Sequence, residues 1–358
     1  MKIKNTLTTL STILALTMMA MSAFSQNNTF SAPQNMGAVI NSAGDDQGGV
    51  IAPSGLSLYF TSNRPGGQGG QDIYVSQRAM LGSAWGVPHN LGATLNSAEN
   101  ELAPSFSRDG RLMFFTSNRL TGMGNNDIYL STRTNPNNDL GWTAPVNLGT
   151  PINTQFSDRG ATYFEDPATG INTLIFAREF DPTSQPFHDL YQSTRNADGS
   201  FNTPTLINEL NTVGSEVRAT YRSDGLEVFI HSARPGGLGA PPPATPTFDI
   251  FVSTRASTAS HWNSPVLVAG LNTTSTEGAP ALSPDDSILY FHSNRPGGFG
   301  GNDLYSATRC SLYVTSPCNV NFGDGRQIDG ISIFRPSMDD WRILKNSKGH
   351  NPAIRIEH

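Results

Sequence analysis

The apolar positions of this chain come in short bursts. Ser57-Leu58-Tyr59-Phe60-Thr61 and Arg111-Leu112-Met113-Phe114-Phe115-Thr116 are aromatic-rich and bounded by glycine. Ile128-Tyr129-Leu130-Ser131-Thr132 alternates apolar with polar side chains. Runs of this length and type read as β-strands. Asp109-Gly110 and Asp224-Gly225 are hairpin-turn dipeptides between a first and a second strand.

The bursts recur as one unit in five copies. One phrase is Ser62-Asn63-Arg64, Ser117-Asn118-Arg119, Ala177-Arg178, Ser232-Ala233-Arg234 and Ser293-Asn294-Arg295. A second follows each, as Asp72-Ile73-Tyr74, Asp127-Ile128-Tyr129, Asp189-Leu190-Tyr191, Asp249-Ile250-Phe251 and Asp303-Leu304-Tyr305. A third is an aromatic residue three before a proline: Phe30/Pro33, Trp85/Pro88, Trp142/Pro145, Phe201/Pro204 and Trp262/Pro265. It leads into a turn bearing Asn41, Asn96, Asn153, Asn211 or Asn272. Each unit supplies about four short antiparallel strands, which is a propeller blade. The expected fold is all-β, a five-bladed β-propeller over residues 26–309. The aromatic-proline phrase comes first at Phe30 and has no copy after Asp303. The N-terminal strand, residues 30–41, is therefore expected to complete the last blade beside Asp303 to Ser306, which removes an open sheet edge.

Pro104-Ser105-Phe106-Ser107-Arg108-Asp109-Gly110, running through Ser117-Asn118-Arg119 to Asp127-Ile128-Tyr129, resembles the WD40-like propeller repeat of the TolB type. So does Leu282-Ser283-Pro284-Asp285-Asp286 through Asp303-Leu304-Tyr305. The resemblance runs to Arg309 and implies the fold. It implies no particular function, since such repeats occur in assembly factors, peptidase propeller domains and other secreted proteins.

The ends differ from the repeat. Lys2 and Lys4, the apolar Leu7 to Met21 and the small residues of Ala23-Phe24-Ser25 read as a signal peptide cleaved near Ser25. An exported chain, periplasmic or extracellular and with no transmembrane segment after cleavage, is expected. Residues 310–358 form a tail. Its run from Asn319 to Arg326, followed by Asp329, resembles one FG-GAP/VCBS-type unit. That resemblance implies a weakened calcium loop on Asn319, Asn321, Asp324 and Asp329, since calcium takes oxygen ligands. Calcium is the only cofactor suggested. Cys310 and Cys318 lie close enough in sequence for a disulfide, without requiring one.

Composition narrows the field. The 358 residues include 35 Gly and 24 Pro, too many turn formers for a helical bundle. A net charge of −6 lacks the basic patch that nucleic-acid binding needs.

Candidate chemistry falls in two sets. The recurring pairs Arg64/Asp72, Arg119/Asp127, Arg178/Asp189, Arg234/Asp249 and Arg295/Asp303 are expected to meet across each hairpin as structural ion pairs, because repeat-wide residues usually serve the repeat. Arg78, Arg133, Arg195, Arg255 and Arg309 are read the same way. Asp46, Glu101, Asp158, Glu216 and Glu277 align just before each first strand, the strand that lines a propeller channel. They would form either a ring of carboxylates holding a cation or polyhydroxyl ligand, or a set of loop caps accepting backbone N–H groups. No nucleophile elbow or metal-spaced histidine pair is present. His231 and His292 stand where Thr61 and Thr116 stand elsewhere, and are expected to pack between blades. The Gly-rich loops at Gly66–Gly70 and Gly297–Gly301 read as tight turns. The reading that follows is a monomeric, non-catalytic propeller, not an enzyme, binding a protein or glycan ligand at the channel mouth. The alternative is a five-bladed glycoside hydrolase-like enzyme using axial carboxylates, for which a symmetric acidic ring is poorly suited.

Overall fold

The computed structural model describes residues 30–179, 187–238 and 247–310. Among them every regular element is a strand, and the strands form five four-stranded antiparallel sheets. The inner strands are Asp46–Ile51, Glu101–Phe106, Asp158–Glu165, Glu216–Tyr221 and Glu277–Leu282. Each contacts the inner strands of both neighbouring blades in cyclic order, so the five surround one axis. The second strands are Ser57–Ser62, Leu112–Ser117, Asn172–Glu179, Glu227–Ser232 and Ile288–Ser293. The third are Asp72–Gln77, Asp127–Thr132, His188–Thr194, Asp249–Thr254 and Asp303–Thr308. Outer strands of two residues finish each sheet.

The ring closes as the order of phrases requires. Gln34–Asn35 is the outer strand of the fifth blade, with Gln34 opposite Ser306 and Asn35 opposite Tyr305. Ser31 N donates to Thr308 O at 2.8 Å, and Met36 N to Leu304 O at 3.0 Å.

The sheets hold together through five apolar clusters, one at each junction between neighbouring blades. Second-strand residues such as Phe60, Phe114, Phe229 and Phe291 are fully buried in them, so removing any one would leave a cavity between blades. The aromatic-proline phrase has a defined task. Arg78, Arg133, Arg255 and Arg309 lie over Trp85, Trp142, Trp262 and Phe30 at 4.5, 4.3, 4.2 and 5.1 Å. The same arginines donate Nε to the carbonyls of Gly55, Gly110, Gly225 and Asp286, tying outer packing to the inner turn. The asparagines of the third phrase act as a stand-in for a strand edge. Asn96 accepts from Ile73 N and donates to Ile73 O, both at 3.0 Å, and Asn153 and Asn272 do the same at Ile128 and Ile250.

One bridge crosses from blade one to the loop after blade two's third strand. The Asp139 carboxylate accepts from Ser57, Tyr59, Gln77 and Arg133. Burial works to raise its pKa, but these hydrogen bonds outweigh it and hold the carboxyl below its ordinary value. The Tyr59 hydroxyl is pushed well up, by burial first and by Asp139 next.

No described helix is long and apolar enough to cross a membrane. The chain divides into two units, Met1–Arg309 and Cys310–His358. The signal-peptide reading, the proposed calcium residues Asn319, Asn321, Asp324 and Asp329, and Cys318 lie outside the described residues. Cys310 is disulfide-bonded.

Candidate functional site

The five aligned carboxylates stand where the sequence placed them, at the start of each inner strand, but they do not face a ligand. Asp46, Glu101, Asp158, Glu216 and Glu277 are all 0% exposed. Each is engaged within its own blade. Glu101 accepts from Ser97 N (2.7 Å), Ser97 Oγ (2.6 Å), Ser117 Oγ (2.9 Å) and Arg119 Nη2 (3.0 Å). Glu277 repeats this with Thr273, Ser293 and Arg295. Of the two expectations for this set, the geometry is that of loop caps, and the carboxylates are not available to a cation.

The recurring arginines are corrected at the same point. Arg64, Arg119, Arg178, Arg234 and Arg295 pair with Asp46, Glu101, Asp158, Glu216 and Glu277, not with the aspartates that follow them. Asp72, Asp127, Asp249 and Asp303 instead cap the glycine-bearing loop before the third strand, accepting from the N–H groups of Gln68, Met123, Leu238 and Phe299. A side chain at Gly67 would collide with the Asp72 carboxylate at 2.2 Å, which is why that loop needs glycine there. Asp189 is partly buried, and its carboxyl is pushed up by burial. No ion pair joins Arg178 to it among the described residues, although the two face each other in register.

The channel takes its chemistry from positions where one blade departs from the others. Two residues after each capping acid the blades read Gly48, Ala103, Gly160, Arg218 and Ala279. The first, second, third and fifth adopt left-handed backbone, with φ of +62, +52, +64 and +46°. Arg218 does not, and in its blade the register shift moves to between Glu216 and Arg218. One residue after the acid the blades read Gln47, Leu102, Arg159, Val217 and Gly278. Arg159, Arg218, His231 and His292 thus line one axial cavity, together with Thr61, Thr116, Gln47, Leu102 and small residues. The histidines, on the second strands of blades four and five, meet across that blade junction as expected. They face the axis, their rings meeting edge to face at 5.7 Å, and Gly278 makes room, since a Cβ there would lie 2.4 Å from His231 Nε2.

At the other end, where the inner strands finish, a second axial cavity is walled by Phe106, Tyr163, Phe164 and Tyr221. Two carboxylates stand at it, Glu165 and Asp286. Seven residues after each capping acid come Pro53, Arg108, Glu165, Ser223 and Pro284. Nine after come Gly55, Gly110, Pro167, Gly225 and Asp286. Asp286 holds the turn glycine's backbone with φ +59°, in a region that non-glycine residues enter at a cost. A continuous network crosses this mouth. Glu165 accepts from Arg108 N, the Arg108 guanidinium donates to Glu165 O (3.1 Å) and Ser223 O (3.2 Å), and Ser223 donates N–H and Oγ–H to Asp286. Burial pushes the Asp286 carboxyl up, against these hydrogen bonds and the pull of Arg309 and Arg222. Among the described residues no group of three or more His, Cys, Asp or Glu could hold a metal ion.

No family model and no curated protein matches the chain. Solved structures do. A GH62 α-L-arabinofuranosidase catalytic domain from Coprinopsis cinerea is 15% identical, covering 78% of this chain and 97% of its own, with a TM-score of 0.49. An exo-β-1,3-galactanase from Phanerochaete chrysosporium is 13% identical over 76% of this chain and 64% of its own, TM-score 0.49. A Dyadobacter fermentans protein of unknown function is 10% identical over 79% and 99%, TM-score 0.49. Likeness at this level is one of fold. The propeller fold implied by the TolB-type resemblance is present, but no family model shows that family. Several of the propellers this chain is similar to are glycoside hydrolases, a finding against the expected non-catalytic scaffold, while the likeness itself shows the fold alone.

Proposed function

We propose that this chain is a carbohydrate-active enzyme of the glycoside hydrolase kind, working in the aromatic-walled cavity where the inner strands end. The observation that carries the reading is a pair of unlike carboxylates there, Glu165 and Asp286, each at a position where the other blades have none. Glycoside hydrolysis needs one carboxyl that keeps a proton and a second that is ionised. Burial favours the protonated form of Asp286, which suits it to the acid's role. Glu165 sits against the Arg108 backbone N–H, which suits it to the anionic role. The symmetry that makes an acidic ring unsuited to this chemistry is absent from this pair, because blades three and five surround the two groups differently. The aromatic walls offer the apolar surface that sugar-ring faces bury, with a few polar groups to orient them. An exported location, read from residues 1–25, belongs to the same proposal, and N-terminal sequencing of the mature protein checks it.

The test is turnover of a panel of aryl glycosides (arabinofuranoside, xyloside, galactoside and glucuronide) together with release of reducing ends from plant polysaccharides. Asp286→Asn and Glu165→Gln should each lower kcat/KM by roughly 100-fold or more on any substrate turned over, the scale of one acid–base group. A folded wild type that turns over nothing in the panel, or two variants as active as wild type, would overturn the reading.

A further inference from the structure

The cavity at the opposite end of the channel holds cationic and donor groups and has no carboxylate in its lining. Arg218 is 2% exposed, and its only hydrogen bond among the described residues runs from Nη2 to Pro104 O at 3.0 Å. Its Nε and Nη1 are buried without a partner. His231 Nε2 and His292 Nδ1 are likewise buried and unpartnered in the same cavity. Arg159 lines it too and makes no ion pair among the described residues. The lining contains no aspartate or glutamate. The nearest acidic influences are Glu179 on Arg159 and Asp45 on His292, and neither lines the cavity.

A buried guanidinium is normally paired, because moving its charge out of water costs several kcal/mol that only a counter-charge or a full set of acceptors returns. The repeat arginines Arg64, Arg119, Arg178, Arg234 and Arg295 obey that rule, each with its capping acid. Arg218 breaks it at the one position where four blades carry glycine or alanine. The fold has therefore placed an arginine where its own repeat supplies no partner, and has surrounded it with two imidazoles and a second arginine from blades three, four and five.

We propose that this cavity is a binding site for a small oxyanion, a carboxylate, sulfate or phosphate group held by Arg218 and Arg159 with donors from His231 and His292. Arg218 offers two free donor nitrogens, Nε and Nη1, to the oxygens of such a group. A divalent cation is excluded by two guanidinium groups at one small cavity. The group could come free in solution or as the acidic substituent of a sugar. The inference does not rest on the hydrolase reading, since its test measures no turnover; Arg218 lines both cavities, whereas Arg159, His231 and His292 line only this one.

The experiment is calorimetric titration of the whole chain at constant ionic strength with sodium sulfate, sodium phosphate, sodium glucuronate and, as a neutral control, glucose. Sulfate or phosphate binding together with glucuronate supports a general oxyanion site. Glucuronate binding alone supports an acidic-sugar site. In Arg218→Met the affinity should fall roughly tenfold or more, the worth of one charge-assisted hydrogen bond. That variant should also melt at or above the wild-type temperature, because an unpaired buried charge has gone. Should Arg218→Met fail to fold, His231→Phe is the second variant and should weaken binding in the same direction. Absence of binding by all three anions at about 20 mM, a concentration that would reveal millimolar affinity, overturns the proposal. So does binding left unchanged by these substitutions, or a glucose signal equal to that of glucuronate.

Discussion

Glu101→Gln changes one atom and keeps the shape of the side chain. In the native blade both carboxylate oxygens are used. Oε2 accepts the Ser97 N–H at 2.7 Å, while Oε1 accepts from Ser97 Oγ, Ser117 Oγ and Arg119 Nη2. An amide must put its NH2 on one side or the other. On the first side two N–H groups oppose each other, and on the second a donor faces the Arg119 guanidinium. Arg119 keeps Leu95 O at 2.9 Å and its place over Tyr129 at 4.7 Å, so it stays where it is with its charge uncompensated. Breaking one partner of a buried pair costs about 3–5 kcal/mol. Arg119's side chain is 16% exposed, which places the cost near the lower end, about 3 kcal/mol. For a domain of this size that is a fall in Tm of roughly 6 °C. Differential scanning calorimetry of Glu101→Gln and Glu277→Gln measures it. A crowded ring of ligand-binding carboxylates would respond in the opposite sense, since removing a like charge relieves repulsion. Two variants that melt at or above wild type would refute the capping account.

Three further outcomes follow from the fold. Deleting residues 30–42 removes the pairing with Ser306 and Tyr305 and exposes the third strand of blade five, so the product should aggregate; a monomeric product with unchanged Tm would contradict the closure. Burial, with Arg218 next, holds His292 at a pKa of about 4, below its unfolded value near 6.5. The unfolded chain therefore binds more protons between these values, so stability should fall as pH drops from about 6.5 to about 4, by about 3 kcal/mol for His292 alone, and should not change further from this group above pH 7. Urea titrations at pH 4.5 and 7.5 check the sign, and equal stabilities would refute it. Asp139→Asn leaves Arg133 without its buried partner and should cost about 3 kcal/mol by chemical denaturation; a cost below about 0.5 kcal/mol, the size of an exposed pair, would show that the bridge is not effectively buried.

The blade count, the strand order and the closing strand were legible because each depends on phrases present five times. The partner of each repeat arginine was not. Ser117 stands opposite Glu101 on one side and Asp127 on the other, so an arginine two residues further along has a carboxylate within reach in either direction. Only the side-chain packing reveals that Asp127 is already taken by Met123 N–H and Asn147. The residues at the axis were missed for a different reason. A search for what the copies share passes over Arg159, Glu165, Arg218 and Asp286, whose signal is that they differ. Once the capping acids are aligned, the series Gly48, Ala103, Gly160, Arg218, Ala279 and the series Gly55, Gly110, Gly225, Asp286 make those departures readable from sequence.

The central claim is that the repeat-wide carboxylates hold the blades while the residues unique to single blades carry the chemistry. Glycoside turnover by Glu101→Gln and Asp286→Asn, each assayed well below its own Tm, tests it most directly. Glu101→Gln should keep most of the wild-type kcat/KM, and Asp286→Asn should lose roughly 100-fold or more. Folded Glu101→Gln that loses its activity, or Asp286→Asn that keeps it, would contradict the account.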